Sequence, residues 1–142
     1  MLRQFLVGGG ISIVNIAIHA IVMTVVVQVA RAANARIRSH SFLLLPAIMI
    51  PTVLVLMVTH ALEVIVWSLA YSIADAAPSG ADLIYFAFVN YTTLGYGDVL
   101  PVEGWRLLGP ITAMNGVLLF GWSTAVIFEV LRRALVHLDI HP

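Results

Sequence analysis

Apolar residues fall in three long runs, Phe5–Ala30, Phe42–Tyr71 and Trp105–Leu131, each broken by only a few polar side chains. A helix needs roughly 20 residues to cross ~30 Å of hydrocarbon, so each run predicts one membrane span. A shorter apolar segment, Ala81–Thr92, lies between the second and third runs. As a helix it would reach about 18 Å, half the depth of a bilayer. The Pro78-Ser79-Gly80 turn precedes it, and either Ser79 or Asp82 can cap its start. The pattern therefore predicts span, outer turn, short re-entrant helix, loop and span, with one further span ahead of them.

The prolines refine this reading. Pro46 and Pro51 sit near the start of the second run, where missing amide protons cost least, so lipid crossing is expected to begin near Thr52. Arg3 ahead of the first run gives it something of the look of a secretory signal. However, the run exceeds the ~7–15 residues of a signal core and contains Asn15 and His19, which predicts a retained span.

Composition agrees with the pattern. Hydrophobic residues make up 61% of the 142 and charged residues 10%, with a mean hydropathy of +1.03. That apolar share is far more than a soluble domain of this length can bury. Seven basic residues balance seven acidic ones, so bulk charge points to no nucleic-acid partner. The chain has no cysteine, which excludes disulfides, thiolate metal sites and a cysteine nucleophile. A Gly-x-Ser-x-Gly elbow and a phosphate-binding glycine loop are both lacking. The expectation is no enzyme, no small-molecule substrate and no cofactor.

The position of the charges sets the orientation. Arg31, Arg36 and Arg38 are read into the first loop, and Arg132 and Arg133 follow the last run, so five of the seven basic residues share one side. The positive-inside rule makes that side, and the C-terminus, cytoplasmic in a plasma or bacterial inner membrane. These arginines could also meet anionic lipid headgroups, although their role as a topology signal accounts for them. Asp75, Asp82, Asp98 and Glu103 then gather in an outer mouth that attracts cations.

After the half-membrane helix comes Thr92-Thr93-Leu94-Gly95-Tyr96-Gly97-Asp98. Stripping the water from a cation requires a cage of oxygens, and backbone carbonyls can supply it if they face one way along a strand. That demands alternating backbone handedness, and glycine accepts positive φ without a Cβ penalty, so Gly95 and Gly97 are the expected positions. The segment resembles the potassium channel filter signature TTVGYGD, with Leu94 in place of valine. Its surroundings, about Thr52 to Arg133, resemble the two-helix pore module of the potassium channel family. The runs His60–Trp67 and Asn115–Thr124 look like small bacterial members of such families.

The resemblance implies an all-α membrane protein with three transmembrane helices, a re-entrant pore helix and a filter loop, assembled as a homotetramer. Potassium would bind at Thr93, Leu94, Gly95 and Tyr96, with Gly97 completing the filter, and the permeant ion would be the only one required. Thr92, Asp98, Tyr85 and Phe86 would support the filter, the aromatic residues forming a cuff with Tyr96, and Tyr91 would add to the wall. Val89 stands where some family members carry a glutamate, so a carboxyl brace there is missing. A nonselective cation channel on the same scaffold is the alternative function. Residues 1–41 would form an N-terminal span with a basic loop, and 42–142 the pore domain.

Three further positions bear on gating. Gly116 is the nearest match to the family's inner-helix hinge, although small residues also permit close packing. His60 and Glu63 share a face of the second span at mid-membrane, where an ionisable group needs a partner or water. Candidate partners are each other, Asn90, Tyr91, Asn115, Trp122, Ser123 and Thr124. No span carries arginine at every third position, so voltage sensing is not expected.

Overall fold

The computed structural model describes residues 1–36 and 43–137. Four α-helices account for nearly all of it: α1 (Leu2–Arg36), α2 (Leu44–Ile73), α3 (Leu83–Tyr91) and α4 (Leu108–His137), with a 3-10 turn at Glu103–Trp105. No strand occurs among the described residues. Three helices are long and apolar enough to cross a membrane, and the short α3 is the re-entrant element expected between the second and third.

Several boundaries differ from the sequence reading. Arg31 and Arg36 belong to α1 rather than to a loop, because the Arg-Ala-Ala-Asn-Ala-Arg stretch is rich in helix formers. Arg38 and the expected domain boundary at 41/42 lie outside the described residues. Pro46 falls in the first turn of α2, but Pro51 lies well inside the helix. A membrane helix accommodates such a proline where its neighbours re-satisfy the freed carbonyl.

The core is layered along the bundle. One apolar layer joins Val64, Trp67 and Tyr71 of α2, Phe86 and Tyr91 of α3, and Trp105, Leu108 and Ile111. A second joins Met23, Val26 and Ala30 of α1, Ile48 and Leu56 of α2, and Val126, Val130 and Ala134 of α4. Between them lies a belt of buried polar residues, including Asn15, His19, Thr59, Glu63, Asn115 and Ser123. α1 packs against both α2 and α4, and α3 is wedged between α2 and α4.

Local contacts hold the re-entrant segment in place. α2 ends in a Schellman motif: Asp75 takes φ +48°, its N–H bonds to Ser72 O at 3.3 Å, and Ala76 N–H bonds to Tyr71 O at 3.0 Å. The Asp82 carboxylate caps α3 by accepting from Ile84 N–H and Tyr85 N–H, both at 3.0 Å. Val102 N–H donates to Ala76 O at 2.9 Å, tying the chain beyond the loop back to the turn before it. At the same end, the Arg3 guanidinium lies 4.2 Å from the centre of the Trp105 ring and Gln4 Oε1 accepts from Leu107 N–H at 2.8 Å. The start of α1 therefore shares a side with Arg106, opposite Arg132 and Arg133.

Candidate functional site

α3 ends at Tyr91 because Thr92 caps it, with Thr92 N–H still bonded to Phe88 O at 2.9 Å. Leaving the helix, Thr93 N–H bonds to Asn90 O at 3.1 Å and Leu94 N–H to Val89 O at 3.0 Å. The amides of the first loop residues thus turn back onto the helix end. Their carbonyls do not: among the described residues, no hydrogen bond is accepted by the backbone oxygens of Thr93, Leu94, Gly95 or Tyr96. An unpaired carbonyl away from water is costly, so four in succession need an external partner.

The handedness of this segment alternates. Positive φ occurs at Thr93 (+61°), Gly95 (+61°) and Gly97 (+77°), whereas Leu94 and Tyr96 are not among the positive-φ residues. Sequence reasoning anticipated the two glycines and missed Thr93. A β-branched residue at positive φ is strained, and nothing in its type announces that conformation. The Thr93 hydroxyl donates to Thr92 O at 2.6 Å, and Thr92 Oγ1 donates to Phe88 O at 2.7 Å. The loop side chains are open in a single chain, with Leu94 54% and Tyr96 68% exposed.

The residues expected from the sequence to support the loop divide into two groups. Tyr85 Oη donates to Asp98 Oδ2 at 2.6 Å, clamping the far end of the loop to the first turn of α3. That bond holds the Asp98 carboxyl below the usual aspartate range and pushes the Tyr85 phenol up to about 12. Phe86 points the other way, buried in the chain with its ring centre 4.7 Å from that of Tyr71. Gly116 lies against the end of α3, where a Cβ would overlap the Tyr91 carbonyl oxygen and stand 3.0 Å from its carbon. Close helix packing is therefore its evident role in this conformation.

The polar belt lies directly beneath the loop. Tyr91 Oη donates to Glu63 Oε2 at 2.5 Å. The same carboxylate meets His19 Nδ1 at 2.8 Å through Oε1 and His60 Nδ1 at 3.0 Å through Oε2. On their far sides both imidazoles face Ser123 Oγ, His60 Nε2 at 2.9 Å and His19 Nε2 at 3.4 Å. Next to this ring, Asn15 Nδ2 donates to Glu63 O and to Asn115 Oδ1, each at 3.2 Å, and Trp67 Nε1 donates to Asn115 Oδ1 at 3.0 Å. Asn15 Oδ1 is buried and accepts no hydrogen bond.

Of the partners proposed from sequence for His60 and Glu63, the structure brings in each other, Tyr91 and Ser123. Asn90 is occupied with Phe86 O at 3.0 Å, and Thr124 with Phe120 O at 2.9 Å. His19, the partner closest to Glu63 among the histidines, was not among the candidates. The only available signal was a histidine inside an otherwise apolar run, which names no partner.

A family model described as an ion channel matches residues 48–133, well over half of the chain. Comparison with curated proteins and with solved structures gives no match.

Proposed function

Because the chain belongs to the ion channel family, a family of channels and not of enzymes, we propose that it is one subunit of a homotetrameric, potassium-selective channel. In this reading the backbone oxygens of Thr93, Leu94, Gly95 and Tyr96 from four copies surround the dehydrated ion, and Gly97 closes the outer end. The observation that carries it is the run of four carbonyls without an intrachain hydrogen bond, in a segment whose φ sign alternates at Thr93, Gly95 and Gly97. Carbonyl cages of this kind replace an ion's hydration shell. The exposure of Leu94 and Tyr96 in one chain is consistent with walls supplied by neighbouring copies.

The remaining parts follow. The C-terminus of α3 aims its partial negative charge below the filter, where it favours a cation. Asp75, Asp82, Asp98 and Glu103 surround the outer mouth, and the end bearing Arg31, Arg132 and Arg133 faces the cytoplasm. α1 forms a separate N-terminal span, and the pore unit begins at α2. Gly116 would act in gating through its contact with Tyr91, and His60 and Glu63 through the belt beneath the filter. Cation flux into proteoliposomes tests the proposal. Potassium entry should exceed sodium entry by at least tenfold and disappear in Gly95→Ala, whose side chain would have to take positive φ. Equal fluxes of the two ions would replace it with a nonselective channel, and no flux of either would reject it.

A further inference from the structure

The ring of side chains beneath the loop closes either around an added proton, with one imidazole donating to Ser123 and the other accepting from it, or around a cation. Suppose both imidazoles are neutral and each gives its Nδ1 proton to Glu63. Their Nε2 lone pairs then both face Ser123, whose hydroxyl has one proton, and the longer contact, 3.4 Å to His19, is left unmet. Suppose instead that both ring protons move to Nε2. Ser123 Oγ has two lone pairs and can accept both, but two Nδ1 lone pairs now confront the Glu63 carboxylate at 2.8 and 3.0 Å. That arrangement is repulsive unless a cation lies among them.

The groups that would hold such a cation are already assembled. The ligand atoms of His19, His60 and Glu63 lie within 4.8 Å of one another. Tyr91 Oη is a fourth donor, 2.5 Å from Glu63 Oε2 and 2.9 Å from His60 Nδ1. Bonds of ~2.0–2.1 Å to nitrogen and oxygen define a tetrahedron with edges of about 3.3 Å, so the hydrogen-bonded edges of 2.5–3.0 Å must open slightly and the widest separations, up to 4.8 Å, must close as the side chains settle on the ion. We propose that His19, His60, Glu63 and Tyr91 form a binding site for a divalent transition ion of the zinc class, with Ser123 as the orienting partner of both imidazoles.

The chemistry selects the ion and its effect. Two imidazoles with a carboxylate favour zinc-class ions over magnesium or calcium, which prefer all-oxygen shells. Metal-bound histidines characteristically donate their other ring N–H to a fixed acceptor, the part Ser123 is placed to play. On binding, the ring protons lie on Nε2 and the Tyr91 phenol proton, now shared with Glu63, passes to bulk water, so that one proton leaves for each ion bound. The two negative ligands, Glu63 and Tyr91, then cancel the divalent charge, which suits a site with Glu63 and His19 fully buried. His60, 13% exposed, is the member through which an ion can enter. The bound ion would fasten α1 and α2 to Tyr91, the last residue of α3 and two residues ahead of Thr93.

The test uses the full chain in detergent, stripped with a chelator and titrated with Co2+ as the optical probe. Expected is the visible absorption of tetrahedral Co2+, saturating at one equivalent per chain and displaced by Zn2+. His19→Gln and His60→Gln should each weaken uptake by at least tenfold, and Ser123→Ala by roughly 10–100-fold. Gly95→Ala should bind the metal fully whether or not it conducts, which separates this site from the filter. Retention of the native elution volume by the histidine variants excludes misfolding as the cause, and His60→Gln, at the partly exposed position, covers the case in which His19→Gln does not fold. No Co2+ band from folded wild type, or a band unchanged in both histidine variants, overturns the proposal. So does a wild type that takes up no metal but is stabilised as pH falls from 7 to 5, because the ring would then be completed by a proton.

Discussion

Replacing Gly116 by alanine tests the way the inner helix holds the pore helix. The added Cβ would overlap the Tyr91 carbonyl oxygen, lie 3.0 Å from its carbon and touch the Tyr91 ring at 3.3 Å. Two of these atoms are backbone at the end of α3, so no side-chain rotation relieves the clash. Overpacking of this kind costs about 1–3 kcal/mol. Alanine also gains about 1 kcal/mol over glycine in a helix, which would mask part of the loss. Gly10→Ala supplies the correction, because Gly10 is in α1 with nothing within 4 Å of its added Cβ. The helix-propensity gain cancels between the two variants and leaves a steric difference of about 1–3 kcal/mol, roughly 5–150-fold in the unfolding equilibrium constant. Unfolding of the purified protein in mixed micelles titrated with dodecyl sulfate measures it. If the two variants unfold within about 0.5 kcal/mol of each other, α4 does not rest on the Tyr91 backbone and the packing role assigned to Gly116 is wrong.

Other consequences are as direct. Tyr85→Phe removes the main cause of the depressed Asp98 pKa, so Asp98, followed by carboxyl-labelled NMR, should titrate at higher pH than in wild type. The stabilisation from that bond is complete above the ordinary aspartate pKa and is lost as pH falls through the lowered native value, so acid should destabilise wild type more than Tyr85→Phe. Conversely, Asp98→Asn should let Tyr85 ionise below its present value of about 12, as read by ultraviolet titration. Asp82→Ala removes a cap that satisfies two amides of α3 and should cost about 1 kcal/mol of stability; no change in unfolding would mean that α3 is held by packing alone.

What the sequence reveals here is what depends on neighbours in the chain. Three spans, the Pro78-Ser79-Gly80 turn and positive φ at Gly95 and Gly97 all follow from local chemistry and are found in the structure, and of the two caps that the sequence offered, Ser79 and Asp82, the structure uses Asp82. The helix Leu83–Tyr91 is shorter than the apolar segment that suggested it, because Asp82 and Thr92 take the cap positions. The polar belt was half visible. His60 and Glu63 are three residues apart on one helix and advertise each other, whereas His19 reaches Glu63 from 44 residues away on a helix with no one-sided polar pattern. The contact of Gly116 with Tyr91 was hidden for the same reason, since a glycine in a membrane helix does not say which backbone it admits. Thr93 differs again: its conformation is imposed by the loop against the preference of its own side chain.

The central claim concerns the backbone oxygens that find no partner within one chain. A density map of the assembled protein in potassium, at a resolution that places carbonyls, tests it most directly. The account predicts four copies around one axis, with ion density along that axis between the oxygens of Thr93, Leu94, Gly95 and Tyr96. An assembly without that symmetry, or one in which these oxygens bond to protein and the axis carries no ion, would contradict it.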